Sequence, residues 1–162
     1  MAEAPARRAV FDASGRYRYR LTRTWPEAGS LRLLFVMLNP STGDAHRDDP
    51  TIRRCMGFAR AWGCGILEVV NLFSWRATRP AHRGRPRRAG KRPTSARGGR
   101  DRTDLVVCAL GGWAGSRARA AAVLNLLRQT TPGPLWCLGV TRGGQPRHPL
   151  HVPAVQELMP WA

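Results

Sequence analysis

The sequence predicts an α/β fold, a three-layer α/β/α domain with a mostly parallel central sheet. Two observations support this prediction. Several short apolar segments are almost uninterrupted, which is typical of strands buried on both faces of a parallel sheet. Two amphipathic segments of helical period alternate with them. The 162 residues are enough for one domain with a sizeable core.

Three strands are predicted in the first half of the chain. In residues 17–25 (YRYRLTRTW), aromatic or apolar side chains alternate with polar ones over most of the segment, which indicates a strand at an edge. Residues 31–41 (LRLLFVMLNPS) form a near-continuous apolar run, which ends at Asn39-Pro40 because proline cannot extend the ladder. Residues 65–75 (GILEVVNLFSW) form a second buried strand.

The clearest helix lies between these two buried strands. Asp49 is a suitable N-cap, Pro50 occupies the first helical position and Gly63 is a suitable stop. The apolar side chains fall on one face: Ile52, Cys55, Met56, Ala59 and Trp62. The segment therefore predicts an amphipathic helix that packs on the sheet.

The second half of the chain repeats the pattern. Residues 104–110 (DLVVCAL) predict a third buried strand, and Gly111-Gly112 turn the chain. Residues 116–129 (SRARAAAVLNLLRQ) predict a second amphipathic helix, with one apolar face formed by Ala120, Val123, Leu124 and Leu127. Residues 135–140 (LWCLGV) predict the last strand.

One expected element is missing between the second and third buried strands. Parallel strands need a long connection, usually a helix. Between Arg79 and Arg102, however, the chain has ten Lys/Arg, one acid and no Val, Ile, Leu, Met, Cys, Phe, Tyr or Trp. This segment has the composition of a disordered chain and carries +9 of the formal +17 charge. Taken at face value, it predicts an arm that binds nucleic acid.

Several classes of protein are not supported by the sequence. The four cysteines form no CxxC pair, which favours buried free thiols in a reducing cytosol over a metal site. The N-terminus lacks the apolar segment of a signal peptide, and no apolar run approaches membrane-spanning length. Dinucleotide, P-loop, metalloprotease and serine-hydrolase motifs are absent. We therefore expect a cytoplasmic protein with no cofactor, no metal and no membrane partner.

Four segments together resemble a bacterial and phage-borne family, the domain of unknown function numbered 1643. They are VMLNPSTGDAHRDDPTIRRCMGFARAWG, EVVNLFSWRAT, DLVVCALGG and CLGVTRGGQPRHPLHVP. The resemblance covers residues 17–153 and implies one domain, with tails at residues 1–16 and 154–162. Residues 79–103 interrupt that domain.

Those interrupting residues depart from the family pattern. After Arg76-Ala77-Thr78 the family usually continues with Asp-Pro and a segment like D-P-V-G-P-E-N-D. If the reading frame is displaced by one base, the codons of residues 85–92 (RPRRAGKR) can encode that segment in register. We therefore hypothesise that residues 79–103 are translated out of frame, with compensating slips at both ends. The nucleic-acid arm remains the alternative.

Polar residues follow four of the predicted strands. In open α/β sheets, ligands bind beyond the carboxyl ends of the strands, so these loops should meet at one edge. The candidate site residues are Asn39, Pro40, Ser41, Thr42, Asp44, Asn71, Arg76, Gly111, Thr141, Arg147, His148 and Pro149.

More remotely, the order of these loops is similar to that of the uracil-DNA glycosylase superfamily. The similarity implies catalytic roles for three residues: Asn39 or Asp44 would orient a water, and His148 would stabilise charge on a departing base. Asn71 would contact the edge of an extruded base. The remaining candidates would bind the ligand, with Arg76 and Arg147 among them as phosphate contacts.

Each main candidate also has a structural explanation. Asn39 suits an Asx turn before Pro40, Asp44 suits a solvated loop and His148 suits an ordinary loop histidine. Asn71 is harder to explain, because a buried amide in an apolar strand needs partners.

Three interpretations of function stand. The first is a protein that binds a nucleotide, nucleobase or nucleic acid, with glycosylase-type hydrolase activity. The second is a non-catalytic binding module of a phage or mobile-element system. The third is an inactive copy damaged by the frame change.

Overall fold

A computed structural model of the chain describes residues 4–76, 103–112 and 117–161. Almost all of the segment 79–103, and with it the out-of-frame hypothesis, lies outside the described residues. The described strands are β1 (Ala6–Phe11), β2 (Arg18–Thr24), β3 (Arg32–Met37), β4 (Ile66–Asn71), β5 (Leu105–Cys108), β6 (Leu135–Cys137) and β7 (Met159–Trp161). The described α-helices are α1 (Pro50–Ala61) and α2 (Arg117–Thr130). The predicted α/β class is confirmed.

The seven strands form one mixed sheet in the order β1-β2-β4-β3-β5-β6-β7. The central strands β4, β3, β5 and β6 are parallel. The outer pairings, β1 with β2, β2 with β4 and β6 with β7, are antiparallel. Half of the six pairings are therefore antiparallel, and the prediction of a mostly parallel sheet is not confirmed.

One of the antiparallel pairings has a local origin. Strands β1 and β2 are joined by a short turn, which permits only an antiparallel pair. Strands β1 and β7 lie in the segments 1–16 and 154–162, which the sequence assigns to tails. Both are polar or short, and Pro160 is compatible with an edge strand but not with a central one.

Successive side chains of the central strands point to opposite faces of the sheet and pack in two apolar clusters. On β3, Leu33, Phe35 and Met37 pack in the cluster that contains α1. The intervening Val36 and the following Leu38 pack in the cluster that contains α2. Since successive side chains of a strand point to opposite faces, α1 and α2 lie on opposite faces of the sheet.

The ends of α1 match the sequence prediction. The Asp49 carboxylate accepts a hydrogen bond from the Ile52 N–H (2.9 Å) and another from the Gly43 N–H (3.0 Å). Pro50 is the first helical residue. Gly63 follows the helix with a φ of 68°, a conformation that favours glycine. The N-cap and the stop are thus confirmed.

The four cysteines are free and buried, as expected. Burial raises the pKa of the Cys108 thiol to about 12 and also raises that of Cys64. None of the helices in the described ranges is both long and apolar enough to cross a membrane.

Candidate functional site

The carboxyl ends of the parallel strands meet at one edge of the sheet. Strand β3 lies between β4 and β5. After β3 the chain enters α1 on one face, and after β5 it reaches α2 on the other. The point where the connections diverge is the usual binding position of open α/β sheets. We call this edge the rim; it comprises residues 38–49, 71–76, 109–112 and 138–149.

Asn39 and Asn71 follow neighbouring strands at the centre of the rim. Asn71 ends β4 opposite Met37 of β3. The pairing continues past the strand ends, since the Phe73 N–H donates to the Leu38 carbonyl (3.0 Å). Asn71 follows Val69 by two residues, and Val69 packs in the α1 cluster. Asn71 is therefore on the α1 face of the sheet.

Arg76 connects the two loops that carry these asparagines. Its Nε donates to the Ser41 carbonyl (3.1 Å) and its Nη2 to the Thr42 carbonyl (3.3 Å). The guanidinium also lies 5.1 Å from the centre of the Phe11 ring. These contacts hold the loop after β3 in place. The role of Arg76 in binding phosphate stays a prediction.

Asp44 stabilises its own loop. Its Oδ1 accepts hydrogen bonds from the backbone N–H groups of His46 and Arg47, both at 2.7 Å. The bond from His46 is the main cause that lowers the pKa of the Asp44 carboxyl. Asn39 also makes a local contact, from its Nδ2 to the Pro40 carbonyl (3.3 Å). The water-orienting roles of Asn39 and Asp44 stay predictions.

His148 lies against the loop that follows β5. A Cβ added at Gly111 would be 3.8 Å from the His148 Cβ, and Gly111 itself has a φ of 77°. The Gly111 N–H also donates to the Pro146 carbonyl (2.8 Å), which ties this loop to the one after β6. The structure therefore brings Gly111 and His148 together.

The imidazole of His148 is held in one protonation state. Burial, and then the neighbouring His151, lower the pKa of His148 to about 4, although the Asp49 carboxylate acts in the opposite direction. Its Nδ1 accepts a hydrogen bond from the Leu150 N–H (3.2 Å). At neutral pH the ring is thus uncharged, and its proton is on Nε2. This makes His148 a neutral hydrogen-bond donor at the rim.

The other predicted residues of this loop shape its hairpin. The Thr141 Oγ1 accepts from the Gln145 N–H (3.2 Å). Arg147 is exposed, and its Nε donates to the Val140 carbonyl (3.0 Å). Pro149 is buried and begins a short 3-10 turn, Pro149–His151, that packs against α1. None of these contacts joins Thr141 or Arg147 to the centre of the rim.

Sequence reasoning missed Arg18, a buried residue of β2 that lies below the rim and contacts it. It is 2 % exposed. Its Nη1 donates to the Gly43 carbonyl (2.8 Å) and its Nη2 to the Asn71 Oδ1 (3.3 Å). Its Nε has no hydrogen-bond partner among the described residues. Burial lowers the pKa of Arg18 to about 10, partly offset by Asp49, so the side chain is still a cation at neutral pH.

An irregularity in β2 explains why the alternation does not reveal Arg18. Val10 pairs with Arg20 and Phe11 with Arg18, so Tyr19 is an extra residue on β2. Such a bulge reverses the direction of the side chains beyond it. Leu21 faces the core, and without the bulge Arg18 would face away from it.

Comparison with known proteins gives one match. The family model described as Protein of unknown function (DUF1643) matches residues 18–150, which include the predicted site residues and Arg18. Comparisons with curated proteins and with solved structures found no match. In the part of the chain that the structure describes, no group of His, Cys, Asp and Glu could hold a metal ion.

Proposed function

Because this chain belongs to the family described as Protein of unknown function (DUF1643), we propose a function from the chemistry of its own rim. The rim binds a nucleobase, either free or as part of a nucleotide or nucleic acid. It then hydrolyses the bond between the base and its sugar. The proposal includes a glycosylase-like, three-layer arrangement of the domain.

The neutral imidazole of His148 is the observation that carries this proposal. When the bond between base and sugar breaks, its electron pair moves onto the base, which becomes negative. A fixed N–H donor at that position stabilises the developing charge. His148 meets this need, because Leu150 occupies its Nδ1 and leaves the proton on Nε2. In this step a water oxygen bonds to the sugar carbon, and its proton passes to solvent or to the base.

Base release from oligonucleotides tests the proposal. Duplex and single-stranded oligonucleotides carrying deoxyuridine or deoxyinosine are incubated with the protein, and the released base is measured by chromatography. We expect release by the natural chain and a loss of about 100-fold or more in His148→Gln, the usual cost of removing one such donor. No release from any of these oligonucleotides by the natural chain contradicts the proposed hydrolysis.

His151→Gln is the matched control. His151 is exposed and lies next to His148, with the ring centroids 5.4 Å apart. It makes the same change in residue type without removing the His148 donor. Its release rate should stay within a factor of about two to three of the natural chain, since substitutions of exposed side chains usually have small effects. An equal loss in both variants contradicts the role of His148.

A non-catalytic binding module is the second candidate, and Asp44 favours it. Its Oδ1 accepts hydrogen bonds from two backbone donors of its own loop, so Asp44 has a structural role in holding that loop. In this candidate Asp44 keeps that role alone and orients no water. This candidate predicts base binding without base release, and Asp44→Asn would then leave affinity unchanged.

A further inference from the structure

We propose that Arg18 is a positioning residue that orients the Asn71 amide, so that the site selects a base with a keto oxygen over one with an amino group at the same position. This inference rests on the proposed function, because it specifies which bases that site accepts. It begins from two observations. Arg18 is buried below the rim, and it donates to Asn71 from there.

The chemistry of the two side chains fixes the orientation. A guanidinium has only hydrogen-bond donors. The atom of Asn71 that faces Arg18 must therefore be Oδ1, and a flipped amide would place two donors against each other. With Oδ1 directed at Arg18, the Nδ2 group is directed away from it. No described residue accepts a hydrogen bond from this Nδ2, so its N–H groups remain available to a ligand.

Arg18 is itself held in place by the loop after β3. Its Nη1 donates to the Gly43 carbonyl (2.8 Å), and the Gly43 N–H donates to the Asp49 carboxylate (3.0 Å). A Cβ at Gly43 would lie 3.0–3.2 Å from Ile52, Asp49 and Arg18, so this contact is closely packed. The orientation of Asn71 is thus coupled to the N-terminus of α1 rather than left to a mobile side chain.

A fixed donor discriminates between base edges. The Nδ2 group can donate to a keto oxygen, as in uracil or hypoxanthine. At the same position cytosine and adenine carry an amino group, which is also a donor. Bringing two donors together leaves both unsatisfied. A site that hydrogen-bonds a keto oxygen therefore strongly rejects a base with an amino group at that position. The site therefore takes keto bases.

Two pairs of nucleosides, uridine with cytidine and inosine with adenosine, provide the probes. Within each pair only the keto or amino group and the adjacent ring proton differ. We measure their dissociation constants by titration calorimetry with the full chain. We expect the keto member to bind at least about tenfold more tightly in both pairs, which corresponds to one unpaired hydrogen bond.

Variants at Arg18 and Asn71 test the mechanism. Arg18→Lys removes the planar fork that reaches Gly43 and Asn71 together, and the preference should fall below about threefold. Asn71→Asp presents only acceptors, so the preference should reverse in favour of cytidine and adenosine. This second variant keeps a partner for Arg18 and does not depend on whether Arg18→Lys folds fully.

Arg23→Lys is the matched control. Arg23 is also a buried arginine of β2 and also donates to the loop after β3, at the Asp44 carbonyl (2.6 Å). It makes no hydrogen bond to Asn71. We expect this variant to be less stable in urea but to keep the keto preference. A loss of preference equal to that of Arg18→Lys would assign the effect to general loosening and overturn the proposal.

The outcomes separate the two proposals. If the natural chain binds neither member of either pair, the proposed function and this inference both fail. If it binds keto and amino members equally well, base binding stands and the role of Arg18 is overturned. An unchanged preference in Asn71→Asp also overturns it.

Discussion

Two buried arginines on β2 differ in how well their charges are satisfied. Every nitrogen of Arg23 has a partner: Nε and Nη2 contact the Asp48 carboxylate at 2.9 and 2.7 Å, and Nη1 donates to the Thr22 carbonyl (2.9 Å). Asp48 also pairs with Arg7 (2.7 Å). Arg18 lacks a described partner for its Nε and contacts the one asparagine of β4. This contrast distinguishes Arg23, which belongs to a structural ion pair, from Arg18, for which we propose a positioning role.

His148 predicts a dependence of stability on pH. Its pKa in the folded chain, about 4, is below the ordinary value of 6.5. Between these values the unfolded chain binds a proton that the folded chain does not, so stability falls as the pH decreases from about 6.5 to about 4. We expect a loss on the order of 1 kcal/mol between pH 7.5 and pH 5, allowing for solvent screening.

Urea unfolding at several pH values measures this loss. In His148→Gln the part of the decrease due to His148 should disappear, whereas His151→Gln should retain it. Equal pH profiles for the natural chain and His148→Gln would contradict the neutral state of this half-buried imidazole.

Residue types alone predicted part of the candidate site. Asn71 is identified from sequence because an amide in an apolar strand needs a partner, and the structure supplies Arg18. Arg18 could not be predicted, because the bulge at Tyr19 changes the phase of the alternation and nothing in the sequence marks it. The burial of Arg23 could be predicted, because it follows Leu21 by two residues and therefore points to the same face of the strand.

At the scale of elements, local signals predicted α1 better than the outer strands. The N-cap Asp49, Pro50 and the stop at Gly63 act within a few residues, so the sequence contains them. Strand β7 depends on pairing with a segment more than 20 residues away, and β1 depends on its hairpin with β2. Short edge strands of this kind have little periodicity of their own, and tertiary contacts determine them.

Two glycines near α1 predict opposite effects of the same substitution. A Cβ at Gly65 would overlap the backbone carbonyl of Gly29, so Gly65→Ala requires a backbone shift. We expect a destabilisation of about 2–3 kcal/mol from this overpacking. Gly57 is exposed in the middle of α1 with open space around it. Gly57→Ala should stabilise the chain by about 0.5–1 kcal/mol, through helix propensity.

Urea unfolding of both variants checks this pair, with the free energy of unfolding as the readout. Gly57→Ala serves as the control for the side-chain change itself. A Gly65→Ala chain as stable as the natural one would show that the Gly29 turn can move without cost.

At the scale of the whole molecule, the topology places a requirement on the connection from β4 to β5. These strands lie on either side of β3 and run parallel to it. A right-handed connection between them crosses the face opposite α1. That face presents Leu34 and Val70, which are only partly buried. The connecting sequence, from Arg79 to Arg102, has no large apolar side chain to cover them.

The out-of-frame hypothesis therefore predicts that restoring the other frame stabilises the chain. A synthetic gene with one base removed before residue 79 and one added after residue 103, or the reverse, would encode the family-like segment. Its apolar residues would cover the partly buried side chains of this face. We expect a gain of a few kcal/mol, which raises Tm by about 5–10 °C for a domain of this size.

Thermal unfolding tests the out-of-frame hypothesis. We compare the restored chain, the present chain and a chain with a Gly/Ser segment of equal length. The Gly/Ser chain controls for the loss of charge, and its Tm should equal that of the present chain, because neither segment supplies apolar cover. Equal Tm values for all three contradict the hypothesis. The alternative of a nucleic-acid arm predicts instead that the present chain has a salt-dependent affinity for DNA that both the Gly/Ser chain and the restored chain lose, since counterion release requires the ten bases.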